Sequence, residues 1–75
     1  MKSDKELFEL AKDYVMLIDL YVKDRLYQEE FKEDMEKIRN TILKKGYDID
    51  KFVEYQELYR NMSIAEYYDF IKTLN

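Results

Sequence analysis

Residues 3–22 read Ser3-Asp4-Lys5-Glu6-Leu7-Phe8-Glu9-Leu10-Ala11-Lys12-Asp13-Tyr14-Val15-Met16-Leu17-Ile18-Asp19-Leu20-Tyr21-Val22. Leu7, Leu10/Ala11, Tyr14, Leu17/Ile18 and Tyr21 recur at the 3.6-residue period of one helical face. Ser3 is placed to accept from the free amides of a first turn, and Glu6, three places on, to reach back to the Ser3 amide. The spacing predicts a helix to about Lys23. A second set, Phe8, Val15 and Val22, widens the apolar stripe beyond what one partner helix covers. Such a helix is either the centre of a bundle or one with a face left for another chain.

Working outward, a short break at Asp24-Arg25-Leu26 precedes a second helix from about Tyr27 to Lys45, with Phe31, Met35, Ile38 and Ile42 inward. Its acids come first (Glu29, Glu30, Glu33, Asp34, Glu36) and its bases last (Lys37, Arg39, Lys44, Lys45), which suits the helix dipole and allows pairs such as Glu33–Lys37. Gly46 is a natural left-handed stop. A third helix begins near Asp48 or Asp50, with Phe52, Tyr55/Gln56, Tyr59 and Met62 inward and Val53 and Leu58 beside them. Ser63-Ile64-Ala65-Glu66 is a second capping box, with Met62 and Tyr67 at the positions of a hydrophobic staple. The last helix carries Ile64, Tyr67/Tyr68, Phe70/Ile71 and Leu74 to the end. No strand alternation competes. Leu26–Phe31 and Met62–Tyr67 echo each other at an offset of 36 residues. Either a duplicated hairpin or the ordinary look of a helix start after a short turn explains the echo. The expected fold is therefore all-α, a small bundle of three to four short helices in one domain, 1–75.

Composition bounds the chemistry. The 75 residues hold no Cys, His, Pro or Trp, with eight Tyr and four Phe. Disulfides, thiolate or imidazole metal sites, and Cys or His catalysis are thereby excluded. A chain of this mass hides roughly 60% of its extended surface, enough for one small core and too little for a deep cavity. Charged residues are 40% of the chain, and 13 bases against 17 acids give a net charge of −4. That sign repels phosphate backbones and anionic lipid, so nucleic acid is an unfavoured partner. The longest apolar run, Tyr14–Ile18, is far below a membrane span. Met1-Lys2-Ser3-Asp4 leads straight into a charged amphipathic stretch, so no secretory signal is expected. The lack of Cys fits a cytoplasmic protein.

Three constellations invite chemistry and each has a plainer reading. Asp48-Ile49-Asp50 resembles the start of a calcium loop, but the fifth, sixth and twelfth places hold Phe52, Val53 and Tyr59, where oxygen ligands and a glycine are needed. Glu30, Glu33 and Glu36 share a helix side, as in di-iron bundles, but without the partner histidines; a solvated acidic face is the simpler account. The tyrosines lack a clustered cation or base to activate a phenol. Most belong to the core, while Tyr47, Tyr55 and Tyr68 fall outside the main stripes and suit a protein-binding surface. No enzyme activity, metal or cofactor is expected.

Leu10–Ile18, then Asp19-Leu20-Tyr21-Val22, then Leu26-Tyr27-Gln28-Glu29-Glu30-Phe31 form an apolar helix, a short turn and a Glu-Glu-Phe helix start. Over residues 7–38 this resembles the opening hairpin of the bacterial self-protective colicin-type immunity proteins, with Tyr27 where that family carries a Ser or Thr cap. The resemblance implies a small acidic helical protein that blocks a basic nuclease toxin through an acidic face, without catalysis.

The leading functional expectation is thus a protein-binding inhibitor of the immunity, antitoxin or phage-inhibitor type that masks a basic protein surface. Residues 46–75 are the more acidic part, and Glu54, Tyr55, Glu57, Glu66, Tyr68 and Asp69 are its candidate contacts. The alternative is a self-associating structural domain, with Phe8, Val15, Met16 and Val22 pairing across a two-fold axis as a homodimer. A helix-turn-helix DNA-binding regulator is the weakest fit, because the final helix offers only Lys72 as a cation.

Overall fold

Local signals set the helix ends. A computed structural model describes residues 3–74 and contains α1 (Asp4–Val22), α2 (Gln28–Lys45), α3 (Ile49–Arg60) and α4 (Ile64–Ile71), with no strand among the described residues. Asp48, rather than Asp50, caps α3, its carboxylate accepting from the Asp50 amide at 2.9 Å. Gly46 ends α2 at φ 69°, a left-handed conformation that a side chain makes costly. Asp24 takes φ 56° in the turn after α1, a region that short polar side chains tolerate. The final helix stops at Ile71, short of the expected end, and Leu74 packs on the core from the turn beyond it. Glu33 and Lys37 form no ion pair; Asp19–Lys23 is the i,i+4 pair that closes, at 3.1 Å.

Both predicted capping boxes have their Ser side chain in place, but only one is complete. Ser63 Oγ accepts from the Glu66 amide at 3.2 Å, and Glu66 Oε1 accepts from the Ser63 amide at 3.0 Å. At the start of α1, Ser3 Oγ accepts from the Glu6 amide at 3.0 Å. Glu6 does not return the bond. Lys45 Nζ lies 2.6 Å from Glu6 Oε2, and the Tyr47 hydroxyl donates to Glu6 Oε1. The Ser3 amide instead donates to the Tyr47 hydroxyl at 3.1 Å. A tertiary contact has replaced the local one, tying the start of α1 to the α2–α3 junction.

Helix α1 is the centre of the bundle, packing on both α2 and α3. The core gathers Leu7, Phe8, Ala11, Ile38, Ile42, Tyr47, Phe52 and Tyr55. Phe8 is wholly buried among aromatic rings. Tyr55 and Phe70 meet it edge to face at 5.3 and 5.0 Å, and Tyr67 stacks on it at 5.9 Å. Such pairings add to area burial by about 0.5–1.5 kcal/mol each. Three expectations are corrected here. Phe8 is a core residue with no surface to offer a second copy. Tyr55 is also buried, at 4% exposure, so its place on the inner face of α3 holds and its place among the surface contacts does not. Tyr47, also expected outside the main stripes, is drawn inward by its bonds to Ser3 and Glu6.

Candidate functional site

Two surfaces remain after the core is assembled. The first is a groove of about 730 Å³ between the C-terminal half of α1 and the α3–α4 turn with the start of α4. Val15, Ile18 and Val22 lie along one side, spaced so that they share a helix face. Met62, Tyr67 and Tyr68 come from the other side, with Ile64. Met16, Val22, Ile64 and Tyr68 are strongly exposed, Ile64 at 78%. Single exposed apolar residues are ordinary on a protein surface, but a contiguous set is not.

The charges on the groove margin are already matched within the chain. Lys12 Nζ donates to the Tyr67 hydroxyl at 3.4 Å and lies 3.9 Å from Asp13. Asp19 pairs with Lys23, and Arg60 with Glu57 at 3.4 Å. These exposed pairs contribute little to stability. They do mean that the groove presents apolar area flanked by compensated charge.

The second surface is the outward face of α3. Asp50, Glu54 and Glu57 stand at i, i+4 and i+7, so they line one side of the helix. Ile49, Val53 and Leu58 flank them and are exposed, Ile49 and Val53 at 51% each. On α4, Glu66 and Asp69 are exposed. Glu66 is occupied by its cap: the Ser63 amide, then the Ser63 hydroxyl, holds its carboxyl below the usual carboxylate range.

The predicted residues therefore separate. Val15, Met16, Val22 and Tyr68 come together in the groove. Glu54 and Glu57 lie on the outward face of α3. Phe8 and Tyr55 are lost to the core. Ile64, Ile49 and Val53 were missed as surface contacts. Ile64 carried no readable signal: three places before the inward Tyr67 it shares much of that residue's helix face, and it belongs with the apolar set of the last helix, yet it is 78% exposed. Ile49 and Val53 did carry one, being four apart and off the Phe52–Tyr55–Tyr59 face.

Among the described residues no group of three or more acidic side chains is placed to hold a metal ion, and no helix is long and apolar enough to cross a membrane. No protein-family model, curated protein or solved structure matches the chain. Among the described residues the fold is that of a small all-α protein with four helices.

Proposed function

We propose that this chain is a non-catalytic, acidic protein-binding module, an inhibitor of the immunity, antitoxin or phage-inhibitor type that masks a basic surface of a partner protein in the cytoplasm. The observation that carries the reading is the outward face of α3, where Asp50, Glu54 and Glu57 run between exposed Ile49, Val53 and Leu58. With Tyr55 buried, these aliphatic side chains replace it as anchors. The acids draw a basic surface in at long range and set its orientation; desolvation of the flanking aliphatics sets how long it stays. The net charge of −4 supports the same sign of partner.

The tagged full chain, used as bait in its source cell, is expected to recover a basic protein. Association with that protein should slow by about tenfold or more between low and high salt. Glu54→Lys should reduce the association rate, and Val53→Asp should mainly raise the dissociation rate. An association rate indifferent to salt, or a recovered partner that is itself acidic, defeats the proposal.

A further inference from the structure

The polar contacts between distant parts of the chain gather at one end of α1. Among the described residues, the side-chain hydrogen bonds and ion pairs of this kind reach α1 and its cap at Ser3, Glu6 and Lys12. The buried residues of α1, Leu7, Phe8 and Ala11, lie at the same end. No residue from Lys12 to Asp34 is buried. That stretch includes more than half of α1, the whole α1–α2 turn and the first turns of α2.

The far end is closed by local bonds. The Asp24 amide donates to the Tyr21 carbonyl at 3.1 Å and the Arg25 amide to the Leu20 carbonyl at 2.9 Å, the paired bonds that end a helix through a left-handed residue. That residue is Asp24, at φ 56°, where only a glycine is free of steric cost. Arg25 stands where such an ending usually sets an apolar side chain back on the helix. The next helix starts without side-chain help, since Tyr27 makes no capping bond and is 80% exposed. Glu29 and Glu30 suit the helix dipole there, but they act on their own helix. Across the hairpin, the ring contact at this end is Tyr21 on Phe31, stacked at 4.2 Å with 17° between the planes. Tyr21 is still 38% exposed and Phe31 is half-buried.

Local stability follows buried contact, and a segment with little of it opens without the rest. We infer that residues 20–31 form a hairpin tip that opens as a unit of its own, with the Tyr21–Phe31 stack as its latch, while the anchored end stays closed. Opening parts the last turn of α1 from the first turn of α2, frees both rings and exposes the backbone of the turn. It breaks neither the bonds of Glu6 to Lys45 and Tyr47 nor the aromatic cluster around Phe8, which belong to the other end. Phe52 and Tyr55 hold α3 to that same core, so the acidic α3 face stays in place when the tip opens. The inference therefore stands apart from the partner proposed for that face.

Native-state hydrogen exchange of the full chain, followed through low urea concentrations, tests this. The amides of Asp24, Arg25 and Phe31 should exchange at least about tenfold faster than those of Ala11, Ile42 and Tyr55 and respond little to urea, while the latter follow global unfolding. Phe31→Ala should speed exchange in the tip by about tenfold. Tyr21→Ala, at the more exposed ring, should do the same. Tyr47→Phe loosens the anchored end in a way the open tip does not feel, so it should speed exchange in the core and leave the tip as it was. Trypsin gives a second readout: cleavage after Arg25 should quicken in Phe31→Ala and not in Tyr47→Phe. Equal urea dependence in tip and core overturns the inference, as does a tip that Tyr47→Phe speeds as much as it speeds the core. So does a tip unmoved by both Phe31→Ala and Tyr21→Ala, because the stack is then not its latch.

Discussion

The two halves of α1 carry the same kind of sequence and meet different fates. In the first half Leu7, Phe8 and Ala11 are at most 2% exposed, while in the second Met16, Leu20 and Val22 range from 36% to 73%. The first half is enclosed by α3, by the aromatic residues of α4 and by the Tyr47 anchor at the α2–α3 junction. The second half is covered on the side of α2, where Tyr21 stacks on Phe31 at 4.2 Å, and only partly covered on the other, where Val15 and Ile18 are half-buried and Val22 is exposed. Periodicity fixes the direction in which a side chain leaves the helix axis. It carries no information on what stands opposite. An apolar stripe longer than its covering helix therefore leaves its end exposed to solvent.

The sharpest way to break this comparison is to truncate each half. Phe8→Ala should cost about 3–5 kcal/mol, because it empties the centre of an aromatic cluster. Small domains have only about 5–15 kcal/mol in all, so denaturant midpoints should fall severely or the chain should not fold. A small loss at Phe8 means the two halves are not different in kind.

A middle-sized effect is expected at the anchor that closes the first half. Tyr47→Phe removes a hydroxyl that serves both the Ser3 amide and Glu6, and should cost about 1 kcal/mol in urea unfolding. The same anchor has a pH signature. Lys45, and after it Tyr47, holds the Glu6 carboxyl below its ordinary value. A carboxyl lowered in the folded state stabilises above its unfolded pKa, and that contribution fades as pH falls through the folded one. Glu6→Gln should thus be less stable than the parent at neutral pH, and the gap should close below about pH 4. Tyr47 titrates with the opposite sense. Burial, then Glu6, pushes its phenol up, so its contribution is complete at neutral pH and is lost only above about pH 10. A gap for Glu6→Gln that widens in acid contradicts the anchor.

The smallest effect belongs to the second half. Val22, at 73% exposure, should tolerate Val22→Ala with a change in stability of no more than about 0.5 kcal/mol. A larger loss there places Val22 inside the core.

Much of the fold was legible because its signals are local. Ser3, Gly46, Asp48 and Ser63 act through backbone groups within four residues, so helix order and ends follow from neighbours in sequence. The candidate contacts were legible only where exposure follows from the helix's own geometry. Glu54 and Glu57 lie on α3 opposite its apolar side and stayed outside. Tyr55 reads both ways in the sequence, on the inner face of α3 with Phe52 and Tyr59 and among the candidate surface contacts, and the inward reading holds. It is buried because α3 meets α1 on that side and Phe8 takes its ring edge to face.

The sequence by itself determined an all-α bundle of three to four helices, most of their caps, the acidic balance and the lack of thiol and imidazole side chains. Tertiary structure alone decided that Glu6 would leave its box for Lys45 and Tyr47, that Phe8 would sit at the centre of the core, and that Val22 would stay exposed while Val15 and Ile18 are half-buried. Helix ends depend on hydrogen bonds a few residues long. Coverage depends on where a distant short helix comes to rest, and its length, about 12 Å against about 28 Å for α1, is what leaves the end of the stripe at Val22 exposed.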